Sequence, residues 1–96
     1  MKIKYSKNFK DSVFEFSKEI KKQIKRKLEI MSVNLNHPSL RTKKKGTKSI
    51  YESSVNMDIR ITWQYEEDGI LLRNIGSHDE FWKILKSIAT LTTLPF

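Results

Sequence analysis

The first third of the chain follows a helical pattern of apolar and polar positions. Apolar residues recur every three or four positions, as on one face of an amphipathic helix: Phe9, Val13, Phe16, Ile20, Ile24, Leu28, Met31 and Leu35. One long helix fits this pattern, but a chain of 96 residues packs more easily if the stretch folds as a hairpin. Ser17 can cap the second helix of such a hairpin. Pro38 disfavours helical geometry at His37, so the second helix is expected to end at residues 36–38.

Four further segments have the patterns of β-strands. They are residues 1–5, 50–55, 59–65 and 70–75. Ser6 can cap the first helix directly after the first strand. The segment 59–65 alternates most clearly between apolar and polar residues, as a strand with one buried face does. With turns at residues 56–58 and 66–69, the last three segments are expected to form an antiparallel meander.

Two glycines and a capping motif predict how the chain continues. Gly69 is free to adopt a positive φ in its turn, and Gly76 is expected to end the last strand. Ser77 and Glu80 have the spacing of a capping box, which predicts the start of a final helix. The apolar stripe of that helix would consist of Phe81, Leu85 and Ile88.

The order of these elements predicts the fold class. A strand, two helices, three strands and a final helix give an α+β protein. The N-terminal strand and the two-helix hairpin are expected to pack on an antiparallel β-sheet, with a short C-terminal helix following. A chain of this length builds one modest core, so residues 1–96 are expected to form a single domain.

Several sequence features are absent, and their absence limits the function. The sequence has no cysteine, no apolar run near the roughly 20 residues of a membrane span, and no apolar N-terminal segment typical of a signal peptide. These absences predict a cytoplasmic protein with no membrane partner. The sequence has no Cys/His cluster, phosphate-binding loop or dinucleotide motif, so neither a metal nor a cofactor is expected.

The positive charge lies in the first half of the chain. The net charge is +8, and residues 1–48 carry 15 Lys and Arg against 4 Asp and Glu. Part of this excess lies in residues 41–48, which have no periodicity and are predicted to form an exposed loop. Such a basic half attracts a polyanion or an acidic protein. It equally fits a solvated surface that keeps the protein soluble.

Three short motifs follow one another along the chain. They are Asn36-His37-Pro38 with the following Leu40-Arg41, Asp58-Ile59-Arg60-Ile61, and the segment from Ile75 to Trp82. Together with the predicted element order, they resemble the RelE/ParE superfamily of bacterial toxins from toxin–antitoxin pairs. The position of His78 after the last strand, with Trp82 four residues on, resembles the YafQ-like branch.

The resemblance implies a function and a set of partners. RelE-like and YafQ-like members are mRNA endonucleases that act on the ribosome, whereas ParE-like members poison DNA gyrase. For this chain the resemblance implies a ribosome-dependent mRNA endoribonuclease without metal or cofactor. It also implies a small acidic antitoxin as partner, with a toxin–antitoxin heterotetramer as one form of the complex. A ParE-like gyrase inhibitor and a non-catalytic member that binds nucleic acid or antitoxin remain as alternatives.

Two residues are candidates for catalysis. Metal-free RNA cleavage needs acid–base groups and a cation that stabilises the charge on phosphorus in the transition state. The resemblance favours His78 as the acid–base group, although a histidine there also fits an ordinary surface position. Arg60 is either a phosphate clamp or the partner of Glu52 in a cross-strand ion pair.

The remaining candidates would bind RNA through phosphate contacts or base stacking. They are Arg41, Lys43, Lys44, Lys45, Lys48, Arg73 and Trp82. A structural role is the alternative for each: a solvated lysine run, a cross-strand contact for Arg73, and a core position for Trp82.

Overall fold

The computed structural model describes residues 1–46 and 49–77. The predicted final helix, Lys48, His78 and Trp82 lie outside the described residues. The elements are β1 (Lys2–Tyr5), α1 (Lys7–Phe14), α2 (Lys18–Val33), one 3-10 turn (Pro38–Leu40), β2 (Lys43–Lys44), β3 (Ile50–Ser54), β4 (Ile59–Glu66) and β5 (Gly69–Ser77). This order confirms the α+β class.

Serine caps separate the two helices as predicted. Ser6 Oγ accepts a hydrogen bond of 3.0 Å from the Phe9 amide, and Ser17 Oγ accepts one of 3.3 Å from the Ile20 amide. The second helix ends at Val33, a few residues before the predicted end. Asn34 is extended, and its side chain accepts a hydrogen bond from the Asn36 amide at 3.0 Å. Because this local bond offers the backbone an alternative to the helix, α2 stops before Pro38 has any effect.

The sheet has five strands in the order β1-β5-β4-β3-β2. The meander of β3, β4 and β5 is antiparallel as predicted. The sheet as a whole is mixed, because β1 lies parallel to β5 after the chain has crossed over through the two helices. β2 is a difference from the predicted loop: its two lysines pair antiparallel with Glu52 and Tyr51 of β3.

Both glycine predictions for the meander are wrong. Gly76 does not end β5, since the ladder continues and Gly76 pairs with Arg60. Gly69 does not have a positive φ; among the described glycines, that conformation belongs to Gly46, with φ 60°. Gly69 is instead required by close approach, because a Cβ there would lie 1.7 Å from the carbonyl oxygen of Lys2.

The core lies between the helices and one face of the sheet. Its buried apolar residues are Phe9, Ile24, Met31, Leu40, Val55, Ile59, Ile61, Trp63, Ile70, Leu72 and Ile75. Alternation along β4 directs Arg60, Thr62 and Gln64 to the opposite face, where they pair across the strands with Ser54, Glu52 and Ile50. We call this second side, carrying Glu52, Ser54, Arg60, Thr62 and Gln64, the polar face.

Candidate functional site

The lysine run predicted to be a loop is divided by β2 between two sides of the sheet. Lys44 lies opposite Tyr51, whose ring stacks on the buried Trp63 with centroids 4.8 Å apart. Lys45 is fixed to β3 through its amide, which donates to the Ile50 carbonyl at 2.7 Å. Because side chains alternate along an extended strand, Lys45 reaches the polar face whereas Lys44 does not.

Arg60 is held on the polar face by three contacts. Its Nε lies 3.7 Å from Glu52 Oε1, and its Nη1 donates to the carbonyls of Asn56 and, at 3.3 Å, Ile59. The cross-strand ion pair with Glu52 is therefore present, as one of the two interpretations predicted. Within residues 1–46 and 49–77, Nη2 makes no hydrogen bond, and the Arg60 side chain is 18% exposed.

The turn before β4 orders the carbonyl that Arg60 binds. Asn56 Oδ1 accepts hydrogen bonds of 2.8 Å from the amides of Asp58 and Ile59. The Asn56 carbonyl also accepts from Ser54 Oγ at 2.7 Å. Two side chains thus converge on one carbonyl, and the predicted turn at residues 56–58 is confirmed. This turn holds the carbonyl to which the Arg60 guanidinium donates.

Glu52 joins Arg60 to Lys45. Its carboxylate is 3% exposed, and its Oε2 lies 2.7 Å from Lys45 Nζ. Although this distance is short, among the described residues no donor is oriented to give Oε2 a hydrogen bond. Burial of a carboxylate is unfavourable unless it is paired, and two cations provide that pairing here. Burial of Glu52 could not be predicted from the sequence, because charged residues are mostly exposed.

Arg73 lies apart from this cluster. It occupies the irregular register between β4 and β5, and its Nη1 donates to Gln64 Oε1 at 2.7 Å. Gln64 follows Arg60 by four residues, which on a strand corresponds to about 13 Å. The structure therefore brings Arg60 and Lys45 together at Glu52, with Lys43 opposite Glu52 in the register, but it leaves Arg73 apart. Its contact with Gln64 matches the structural alternative.

Arg41 and Lys44 line a different cleft, of about 400 Å³, together with His37 and Tyr51. Arg41 has a left-handed backbone with φ 47°, which a residue with a side chain seldom adopts. His37 Nδ1 accepts a hydrogen bond of 3.1 Å from the Ser39 amide, so the neutral ring carries its proton on Nε2. The sequence predicted His37 at the end of a helix, but it did not predict that His37 lies in the same cleft as Arg41 and Lys44.

The described residues were also compared with the requirements of a metal site and of a membrane span. Within residues 1–46 and 49–77, no three His, Asp or Glu side chains come together as a metal site would require. No helix in this part of the chain is both long and apolar enough to cross a membrane.

Solved structures with the same fold include toxins of toxin–antitoxin systems. A chain of the RelB–RelE antitoxin–toxin complex from Methanococcus jannaschii aligns with a TM-score of 0.71 and 24% identity, over 84% of this chain and 96% of that chain. YafQ from E. coli aligns with a TM-score of 0.68 and 14% identity, over 83% of this chain and 96% of YafQ. A chain of the YoeB–YefM complex from Staphylococcus aureus gives 0.63 and 16%, over 81% and 97%. The sequence itself matches no protein-family model and no curated protein.

These similarities confirm the fold that the resemblance implied. The alignments cover nearly the whole of each toxin-fold chain, so the order of strands and helices agrees over almost its full length. At identities of 24% or below, the agreement concerns the fold.

Proposed function

We propose that this chain is the toxin of a toxin–antitoxin pair and that it cleaves mRNA on the ribosome. The observation that carries the proposal is the meeting of Arg60 and Lys45 at Glu52 on the polar face. Two cations that meet at one residue of β3, one from β4 and one directly after β2, suit a phosphodiester, whose charge increases in the transition state of cleavage. The fold common to RelE, YafQ and YoeB structures supports the same function.

The proposed chemistry assigns a role to each candidate. Arg60 would stabilise the charge on phosphorus through its guanidinium, and His78 would transfer the protons. Trp82 would stack on a base. The other cations, Arg41, Lys43, Lys44, Lys45, Lys48 and Arg73, would bind the RNA backbone. The proposal places the protein in the cytoplasm, where ribosomes translate; the lack of cysteine agrees with a reducing compartment.

The test uses purified protein in a reconstituted translation system, with mRNA 5′ ends mapped by primer extension. Wild-type protein is expected to produce new ends only when ribosomes are translating. His78→Ala and Arg60→Ala are expected to lose at least 100-fold in cleavage rate, as removal of a general acid–base group or a charge-stabilising donor does. Lys22→Ala is the control, because it removes an exposed lysine from α2.

The alternatives give different results in the same preparation. A gyrase inhibitor would block supercoiling by purified gyrase and leave the mRNA intact. A non-catalytic member would do neither, although it would still bind RNA or its partner. Full activity of both His78→Ala and Arg60→Ala would contradict the assigned roles.

An antitoxin partner is part of the proposal, and the surface of the helical hairpin supports it. A groove of about 390 Å³ between α1 and α2 is lined by Tyr5, Phe9, Val13, Phe14, Ile24 and Leu28, with Lys10, Lys21 and Lys25 beside them. Phe14 is 69% exposed. An apolar groove with basic edges suits an amphipathic segment of an acidic protein. The printed names of the RelB–RelE and YoeB–YefM structures describe such complexes for those proteins.

The groove can be tested with two matched substitutions. Phe14→Glu is expected to weaken binding of the proposed acidic antitoxin, because it places a like charge in the groove. Val33→Glu makes a similar change at another exposed apolar residue, outside the groove, and is expected to bind normally. Calorimetry gives the affinities, and light scattering shows whether a heterotetramer forms. Equal affinities for the two variants would exclude the groove.

A further inference from the structure

The buried carboxylate of Glu52 lies among the cations of the polar face. Its cross-strand neighbours are Thr62 on β4 and Lys43 on β2, yet its ion pairs are formed with Arg60 and Lys45, which are not directly opposite it. The residue is 3% exposed and paired with Arg60 and Lys45. Both partners are residues that the sequence nominated for contact with RNA. The negative charge of Glu52 beside these cations would weaken their binding of an RNA phosphate. We therefore ask what else the carboxylate does at this position.

The two pairs formed by Glu52 differ in how firmly the cation is held. Arg60 has two backbone carbonyls as further partners, and its side chain is 18% exposed. Lys45 has Glu52 as its side-chain partner among the described residues, and its side chain is 38% exposed. A single, half-exposed ammonium exchanges partners more easily than a guanidinium held at several nitrogen atoms.

We propose that Glu52 is a positioning residue, which fixes Arg60 on the polar face and gives up Lys45 to an incoming RNA phosphate. The inference rests on the proposed function, because it names how the same site takes its substrate. In the free protein, Lys45 neutralises the buried carboxylate. When RNA binds, the phosphate replaces the carboxylate as the partner of Lys45, and Arg60 keeps its orientation through Glu52 and Asn56.

This exchange separates binding from cleavage, which a merely structural role does not do. Glu52→Gln removes the charge that competes with phosphate but keeps the shape of the side chain. The variant is therefore expected to bind RNA several-fold more tightly at low salt, with a steeper dependence of affinity on salt by about one phosphate contact. It is also expected to cleave at least tenfold more slowly at saturation, because Arg60 loses its charged partner.

The experiment combines two measurements on the full chain. Affinity for a 12-nucleotide single-stranded RNA is measured at several KCl concentrations, and single-turnover cleavage is measured on translating ribosomes. Glu67→Gln is the matched control, since it makes the same charge change at an exposed turn residue. Glu52→Asp, which restores the charge, is expected to recover part of the cleavage rate. Circular dichroism shows whether each variant is folded.

The results separate the inference from its alternatives. Unchanged saturating cleavage by folded Glu52→Gln would overturn the positioning role. If RNA binding and cleavage decrease only in proportion to the fraction of folded protein, Glu52 has a structural role and not a positioning role. If neither variant of Glu52 folds, NMR of the wild-type protein decides: on addition of RNA, the Lys45 ammonium signal should shift more than the Arg60 Nε signal, because Lys45 changes its partner whereas Arg60 keeps Glu52. Shifts of equal size, or none, would refute the exchange.

The proposed function can fail without the inference failing. Binding and NMR measurements require no cleavage, so they test the release of Lys45 even if the wild-type protein leaves mRNA intact. In that case the endoribonuclease proposal fails, and the exchange describes how the fold binds RNA.

Discussion

Substitution of Gly69 by alanine tests the close approach of the β1 backbone to β5. The added Cβ would lie 1.7 Å from the Lys2 carbonyl oxygen, whereas real Cβ contacts essentially never fall below 3.0 Å. β1 must therefore retreat from β5 by at least 1.3 Å, the difference between these two distances. The hydrogen bond from the Lys2 amide to the Asp68 carbonyl oxygen is now 3.1 Å long, and it would be broken by such a shift.

The size of the effect follows from what β1 contributes. Loss of on the order of two or three hydrogen bonds at about 1 kcal/mol each, with partial exposure of Ile3, gives about 3 kcal/mol. The free energy of unfolding of a domain of this size is roughly 5–15 kcal/mol, so this loss is a large part of it. It should lower the melting temperature by about 15 °C.

Gly46→Ala supplies the matched control. Gly46 has φ 60° and no atom within 4 Å of an added Cβ, so only the conformational preference of the backbone opposes the change. That preference corresponds to about 1 kcal/mol. Urea unfolding gives both free energies, and hydrogen exchange shows whether the β1 amides open. The reasoning is refuted if Gly69→Ala costs no more than Gly46→Ala, or if the β1 amides stay protected.

Three other substitutions test single features of the fold. Ser17→Ala should lower the free energy of unfolding by about 1 kcal/mol through loss of the cap, whereas Ser32→Ala on the exposed side of the same helix should change it by less than about 0.5 kcal/mol in urea titrations. Ser53→Ala leaves the buried Trp63 indole without its 2.8 Å acceptor, and should cost about 1–3 kcal/mol by the same assay. Arg41→Gly relieves the left-handed backbone, so the protein should be as stable as before or more stable by up to about 1 kcal/mol. The same variant should bind single-stranded RNA more weakly, with a salt dependence smaller by about one contact in fluorescence titrations.

The sequence predicted best where one local interaction decides the structure. The caps at Ser6 and Ser17 need only a hydroxyl and a nearby amide, and the alternation along β4 needs only one buried face. Each of these was confirmed. The class of the fold followed from the order of such elements.

Features that depend on distant partners escaped the sequence. β2 lies within a run of lysines that has no strand periodicity, and it exists because β3 offers an unpaired edge. Gly69 was identified as important but for the wrong reason, since the sequence does not show that β1 passes beside it. Of the candidate site, Arg60 and its pairing with Glu52 were foreseen, whereas the second pairing of Glu52, with Lys45, depends on the register of β2.

The positions of the lysines at the margins of the sheet affect how copies of the chain meet. β1 and β2 are the outermost strands; β1 carries Lys2 and Lys4, and β2 consists of Lys43 and Lys44. Short outer strands bearing like charges repel a second sheet that would otherwise continue the hydrogen-bonded ladder. Edge-to-edge aggregation is thus disfavoured at both ends of the sheet. High salt or a bound polyanion screens these lysines and weakens the repulsion. Under such conditions the protein is expected to aggregate more readily, so it should be kept at low concentration.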